Sequence, residues 1–549
     1  GITKLLMQQK LTWMIYKHIE FTVKNHLCVN STISVYHIIG ECMSSYTYKQ
    51  ESKNQVRHTV IRNAVELLTN GRSEACCVRN SYVRDLYDYF LSLAESHEQT
   101  EAEKIEQEYI REWEHIHSNL IGYKRPDELS VCYLSGPEPE NDFNELVDMG
   151  VLPQNIWAFE NERNTYLQAL GSVDGSSFMQ PKIVKTSIER FFENSPKKFD
   201  IVYIDACASL ISDQHALRCV ASLFQNHRLN SPGILITNFA YLDATNATEI
   251  AQYTDLISRY NILQHNRAAN LMNESGTIHF KYDGTDINRQ VKQNLEDAYG
   301  EFVTAMVCNA ASITVPSLRF CNSTYLQSIS SNNPTTNDHL SYLDVNTIKD
   351  NTLYKFLASN SFLKQQGASL PGIERANKLA AELSGLSQHF DLLSCLRKLH
   401  EIKTKPDGFC PELNEVIDFF DTGNELYQFL DKPNRVLFFD SVINQLSYPM
   451  HYVSDKANRL TYIAKDTRMF TDLLLFDECR YIYDWLPAIH QIPKAFSNPS
   501  WQYTFRFGLD GLIKQRINYN NEFFFQGSVI SKTAPGFEAK LFPNRIKIN

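Results

Sequence analysis

Five times between about residues 130 and 260, a short unbroken apolar run is followed by a segment whose apolar residues recur at helical spacing, and no other feature limits the possible folds as tightly. Strands are predicted at 130–135, 155–159, 182–186, 200–204 and 233–237, and helices at 142–149, 162–170, 188–193, about 213–226 and about 248–260. The runs Val-Cys-Tyr-Leu, Ile-Trp-Ala-Phe, Ile-Val-Tyr-Ile and Ile-Leu-Ile-Thr do not alternate in polarity, which is the pattern of strands covered on both faces. Such a succession predicts a parallel sheet built from right-handed crossovers, and therefore a doubly wound α/β domain.

In an open parallel sheet, ligands bind beyond the carboxyl ends of the strands, close to the point where strand order reverses. Residues with useful chemistry follow each predicted strand: Gly136 the first, Glu160 the second, Ser187 the third, Asp205 at the end of the fourth and Asn238 after the fifth. Gly136 opens the loop Gly136-Pro137-Glu138-Pro139-Glu140, where the missing side chain lets a ligand approach the backbone at a helix start. Glu160 offers a carboxylate able to accept both hydroxyl hydrogens of a ribose.

These residues stand in an order that resembles the class I S-adenosylmethionine-dependent methyltransferases. The resemblance rests on Ser135-Gly136-Pro137-Glu138, Ala158-Phe159-Glu160, Lys185-Thr186-Ser187-Ile188-Glu189, the run from Phe199 to Asp205, and the run from Pro232 to Asn238. It implies S-adenosylmethionine as cofactor, with its methionine beside Ser135, Gly136, Pro137 and Glu138, its ribose on Glu160, its adenine near Ser187 and Ile188, and reaction-side contacts at Asp205. Asp205 and Asn238 are the implied catalytic positions. Where the family commonly carries G-x-G-x-G, the matching positions here are Gly136, Glu138 and Glu140 with prolines between them, so two backbone donors are lost. A carboxylate at 138 either meets the positive charge of the cofactor or obstructs its pocket. The chain also lacks the Asn/Asp-Pro-Pro-Tyr/Phe motif of amino-methylating enzymes after Asp205, which disfavours methylation of an exocyclic base nitrogen. Cys207 is read as a packed thiol before it is read as a nucleophile.

A chain of 549 residues exceeds one ordinary core. The predicted organisation is a helical N-terminal region over 1–125, the Rossmann-like methyltransferase-type domain over 126–325, a polar linker at 328–337, and a mainly helical, then aromatic-rich, mixed C-terminal region over 338–549. Residues 82–120 read as one long polar helix or connector, and 302–308 and 312–320 as the remaining strands of the sheet. The basic excess of the first 65 residues, including Lys53 and Arg57, reads as a solvated face. Trp501, Tyr503, Phe505 and Phe507 alternate as on one face of a strand and, with neighbouring cations and Phe523 to Phe525, form either a core face or a base-stacking surface.

Net charge of −10 lacks the basic field of a dedicated nucleic-acid binder, although a local groove stays open to nucleic acid or to a protein partner. The 12 cysteines include no C-x-x-C pair, and the adjacent Cys76 and Cys77 do not form a metal knuckle, so no metal is expected. No run approaches the ~18 apolar residues of a membrane span, and a reducing cytoplasmic setting is expected. The leading expectation is a methyltransferase whose acceptor is left open. The competing one is a catalytically silent methyltransferase fold used in binding or assembly, favoured by Glu138 and Glu140. An NAD-dependent dehydrogenase is disfavoured because G-x-G-x-x-G is absent.

Overall fold

A computed structural model of the chain describes residues 51–174, 181–210, 216–267, 284–316, 319, 411–421, 442, 444–518 and 542–548. The chain divides into two compact units, residues 1–51 and 52–549, and everything below concerns the second. The predicted linker at 328–337, the segments at 523–525 and 342–410, and Lys4 to Lys49 lie outside the described residues.

All five predicted strands form: β1 Val131–Leu134, β2 Ile156–Phe159, β3 Lys182–Val184, β4 Phe199–Asp205 and β5 Leu229–Ala240. Each pairs in parallel with its neighbour, in the order β3-β2-β1-β4-β5. Because β2 and β4 flank β1 on opposite sides, strand order reverses there, which makes the β1/β4 boundary the topological switch point. Phe199 to Ile204 are buried without alternation, as a strand under cover on both faces requires.

The sheet continues with strands from the C-terminal region, in place of those expected at 302–308 and 312–320. Beyond β5 run β8 Thr467–Asp477, β7 Asn458–Ala464 and the short β9 Ile546–Lys547, while β6 His451–Tyr452 branches from β8. β8 is antiparallel to β5 from Gly233 opposite Phe476 to Ala240 opposite Met469. The strand expected at 302–308 instead lies in a helix, Leu295–Asn309, and the one expected at 312–320 begins in the wider turn at Ala310–Thr314 that continues it. A short apolar run carries no information on which of the two it becomes, and here burial on nearly every side of the helix decides it. β7 and β8 lie within the region read as helical. They are joined by a two-residue hairpin turn at Lys465 and Asp466, both with positive φ (46° and 65°), a conformation normally signalled by Asn or Gly.

Helices in chain order through the first parallel strands are α1 Glu51–Leu68, α2 Tyr82–Ser92, α3 His97–Ala102, α4 Gln107–Ile121, α5 Glu140–Asp148, α6 Arg163–Val173 and α7 Ile188–Asn194. The single polar helix expected over 82–120 is thus three helices. It is no exposed connector: α4 turns Ile110, Trp113, His117 and Ile121 inward, and the Trp113 indole donates to the Tyr481 carbonyl at 2.8 Å. Residues 501–507, expected as a strand, lie instead in the helix Pro499–Asn518. Tyr503, Phe505, Phe507 and Arg506 are all buried there, and Trp501 stacks on Phe505 at 5.4 Å, so these aromatics are core and not a base-stacking surface. A helix wrapped by protein on all sides tolerates apolar residues at any spacing, which is why alternation misled. No helix among the described residues is long and apolar enough to cross a membrane.

Candidate functional site

The carboxyl end of the parallel sheet is where the sequence places its candidate residues, and their surroundings differ sharply between the β1/β2 side and the β4/β5 side. On the first side, β1 runs into Ser135, whose N–H donates to the Phe159 carbonyl at 2.9 Å and whose hydroxyl donates to the Gly136 carbonyl at 2.9 Å. Gly136 has φ +61°, a left-handed conformation that L side chains rarely adopt, and a Cβ built on it would meet nothing within 4 Å. The loop therefore bends sharply and leaves open space at its apex. Pro137 follows, then Glu138, which accepts from the Asn141 amide at 3.0 Å, and Pro139, whose carbonyl takes the Tyr133 hydroxyl at 2.7 Å.

Glu160, at the end of β2, accepts the Glu162 N–H at 2.7 Å. Partial burial raises its carboxyl above the ordinary value, although the backbone N–H groups of Glu162, Asn161 and Gly136 turn toward it and work the other way. The carboxylate is thus held by main chain beside the glycine loop. Ser187 caps α7, its hydroxyl accepting the Arg190 N–H at 3.3 Å, and Ile188 is buried in the first turn of that helix. Ser187→Ala is expected to lower stability by about 1 kcal/mol in thermal unfolding, the usual loss for a missing N-cap oxygen.

On the β4/β5 side the end of the sheet is filled by a charged and polar network. Asp205 accepts the Lys53 ammonium at 2.9 Å on one oxygen, and the Asn238 amide at 2.8 Å and the Cys207 thiol at 3.1 Å on the other. Parallel register sets Asp205 opposite Asn238, and antiparallel register sets Asn238 opposite Thr471. The Thr471 hydroxyl donates to the Asn238 carbonyl oxygen at 2.8 Å, and the Asn238 amide also contacts the Tyr462 hydroxyl at 3.0 Å. Asn238 is fully buried.

Lys53 comes from α1, and Arg57, one turn further on, reaches Asp142 on α5 at 2.8 Å. Both cations belong to the stretch expected to be a solvated face, yet Lys53 is 9% and Arg57 6% exposed. That expectation is corrected: one edge of α1 closes over the strand ends. Burial by itself would lower the Lys53 pKa, but the Asp205 carboxylate overrides it and holds the ammonium well above its ordinary value. Burial likewise opposes ionisation of Asp205, and the Lys53 charge with three hydrogen bonds leaves its carboxyl below the ordinary range. Cys207 is exposed, so the expectation of a packed thiol is corrected; desolvation at the strand end and the Asp205 charge push its thiol up to about 12, which opposes thiolate formation and a nucleophilic role. Lys53, Arg57, Asp142, Tyr462 and Thr471 were not candidates from sequence, since their partners are remote in the chain.

No family profile and no curated protein sequence matches the chain. Among solved structures, one similar chain is the mitomycin 7-O-methyltransferase MmcR, with 12% identity, a TM-score of 0.18, and coverage of 31% of this chain and 52% of that one. The match thus spans about half the length of that enzyme.

Proposed function

We propose that the sheet end around Gly136 and Glu160 binds the adenosyl and methionine portions of S-adenosylmethionine, and that the protein is a methyltransferase of the kind its strand and loop order resembles. The carrying observation is the pairing, on the β1/β2 side next to the switch point, of a left-handed glycine whose missing side chain opens onto empty space with a carboxylate held by neighbouring N–H groups. Glu160 would accept the ribose hydroxyls, Gly136 and Ser135 would border the methionine portion, and Glu138 would face its positive charge. The helix cap at Ser187 and the first turn of α7 would border the adenine. When bound, the cofactor supplies a methyl group activated by sulfonium. Asp205 and Asn238 would orient the acceptor through the network that Lys53 anchors, and the buried position of that network would exclude water. An NAD-binding reading is less well supported because an antiparallel strand, β8, stands beside β5 where a six-stranded dinucleotide sheet continues in parallel.

A second reading is favoured by the same network. Three donors already engage Asp205, and α1 covers it, as expected if the fold serves binding or assembly with a protein or nucleic-acid partner in place of catalysis. Calorimetric titration separates the readings. Micromolar binding of S-adenosylmethionine and S-adenosylhomocysteine is the expected result. Absence of both favours the silent subunit, and preference for NAD overturns the proposal.

A further inference from the structure

Far from the switch point in sequence and built on the opposite end of β8, two cysteines and an aspartate converge in the protein interior. Cys77, in the connection between α1 and α2, and Asp477 and Cys479, at the end of β8, are all buried, and one oxygen and two sulfurs from them lie within 4.8 Å of one another. Cys77 lies 400 residues from Asp477, so no local spacing announces the trio. We infer that this trio is a zinc site that fastens the α1–α2 connection to the end of β8.

The distances suit tetrahedral coordination. With Zn–S of about 2.3 Å and Zn–O of about 2.0 Å, a tetrahedron sets sulfur and oxygen about 3.5 Å apart. The Cys479 sulfur lies 3.5 Å from an Asp477 carboxylate oxygen. The Tyr481 hydroxyl, itself accepting the Val78 N–H at 3.1 Å, donates to the same carboxylate oxygen at 2.6 Å, closer than the roughly 3.3 Å between two oxygen ligands of one tetrahedral zinc, so it orients Asp477 and a water would complete the four. Outer contacts of the kind that orient metal ligands are also in place. The Cys77 and Cys479 N–H groups donate to opposite oxygens of Asp477, each at 2.9 Å, and the Ser231 hydroxyl reaches one of them at 3.3 Å. The backbone at Cys479 adopts φ +50°, unfavourable for a non-glycine residue, and this turn brings its thiol back toward Asp477. Binding converts both thiols to thiolates: two S–H bonds break, two Zn–S bonds form, and two protons pass to solvent, with no change of oxidation state.

The full chain, purified without chelator and passed through metal-free buffer, is expected to carry about one zinc per molecule by elemental mass spectrometry. Cys77→Ser and Cys479→Ser should each reduce the zinc content at least ~10-fold, while Cys76→Ser, at the adjacent buried cysteine outside the trio, should leave it unchanged. Should the serine variants fail to fold, cobalt(II) exchanged into the unaltered protein decides: thiolate-to-cobalt charge-transfer absorption with intense tetrahedral visible bands supports the site. Absence of those bands together with no zinc uptake overturns the inference. So does zinc retained in both variants, or peptide mapping that finds Cys77 and Cys479 joined as a disulfide. None of these outcomes depends on whether S-adenosylmethionine binds.

Discussion

Asp205→Ala is expected to destabilise the fold by about 3–5 kcal/mol in urea or thermal unfolding, because it strands a buried ammonium without the carboxylate that holds it. Lys53 and Asp205 side chains are 10% and 17% exposed and stand 2.9 Å apart, so neither charge recovers full hydration when its partner is removed. Lys53→Met is expected to be costly for the mirror-image reason. The pair Lys53→Met with Asp205→Leu should recover most of the loss, since apolar side chains of similar volume often replace a buried ion pair without penalty. A double variant as unstable as the sum of the singles would mean that the two groups do not act on one another. The pH dependence has a fixed sign. Asp205 titrates below its ordinary 3.8 when folded, so its contribution is present above that value and is lost as pH falls through the lower folded value. Lys53 titrates above its ordinary 10.5 when folded, so its contribution is complete below that value and is lost only as pH rises through the higher folded one. Asp205→Asn should therefore flatten the acid limb of the stability profile and leave the neutral plateau lower.

The same pair shows where sequence reading succeeds and where it stops. The runs in β1, β2, β4 and β5 were legible because a strand covered on both faces must be apolar, and that property is local, while the edge strand β3, with Lys182 exposed, was placed by its position in the alternation. The hairpin of β7 and β8 was not legible: Lys465 and Asp466 adopt the turn without the residues that advertise it, and the strands are recruited to β5 from far along the chain. Gly136, Glu160 and Asp205 could be placed at strand ends because strand ends could be placed, whereas Asn238, expected just after β5, lies within it two residues before its end at Ala240. Their partners could not. A lysine and an arginine one turn apart on a helix look alike whether they face water or cap a sheet, and only the tertiary position of α1 distinguishes the two. The aromatic alternation at 501–507 failed for a related reason: a helix buried on all sides has no polar face to set its period.

Glu160→Ala is expected to weaken S-adenosylmethionine binding by at least ~100-fold, about 2.7 kcal/mol, without a comparable loss of stability. The size follows from charge. A hydrogen bond to an ionised group contributes about 1.5–3 kcal/mol, and a carboxylate that accepts both ribose hydroxyls makes two of them from an orientation the Glu162 N–H has already set. Because Glu160 is only partly buried and its carboxylate hydrogen-bonds main-chain N–H groups, its removal should leave the strand ends intact, which separates a binding role from a structural one. Glu160→Gln tests the charge: it keeps the length and one acceptor oxygen, so recovery of only part of the affinity is expected. Gly136→Val tests the other half of the pocket. No neighbour obstructs the new side chain, so its effect comes from the left-handed backbone, worth about 1–2 kcal/mol in strain, and from methyl groups occupying the space a ligand would use. Binding should fall in that variant by more than the strain alone explains. Unchanged affinity in Glu160→Ala, measured by calorimetry on folded protein, would remove the ribose contact, and with it the reason for reading this sheet end as an adenosyl site.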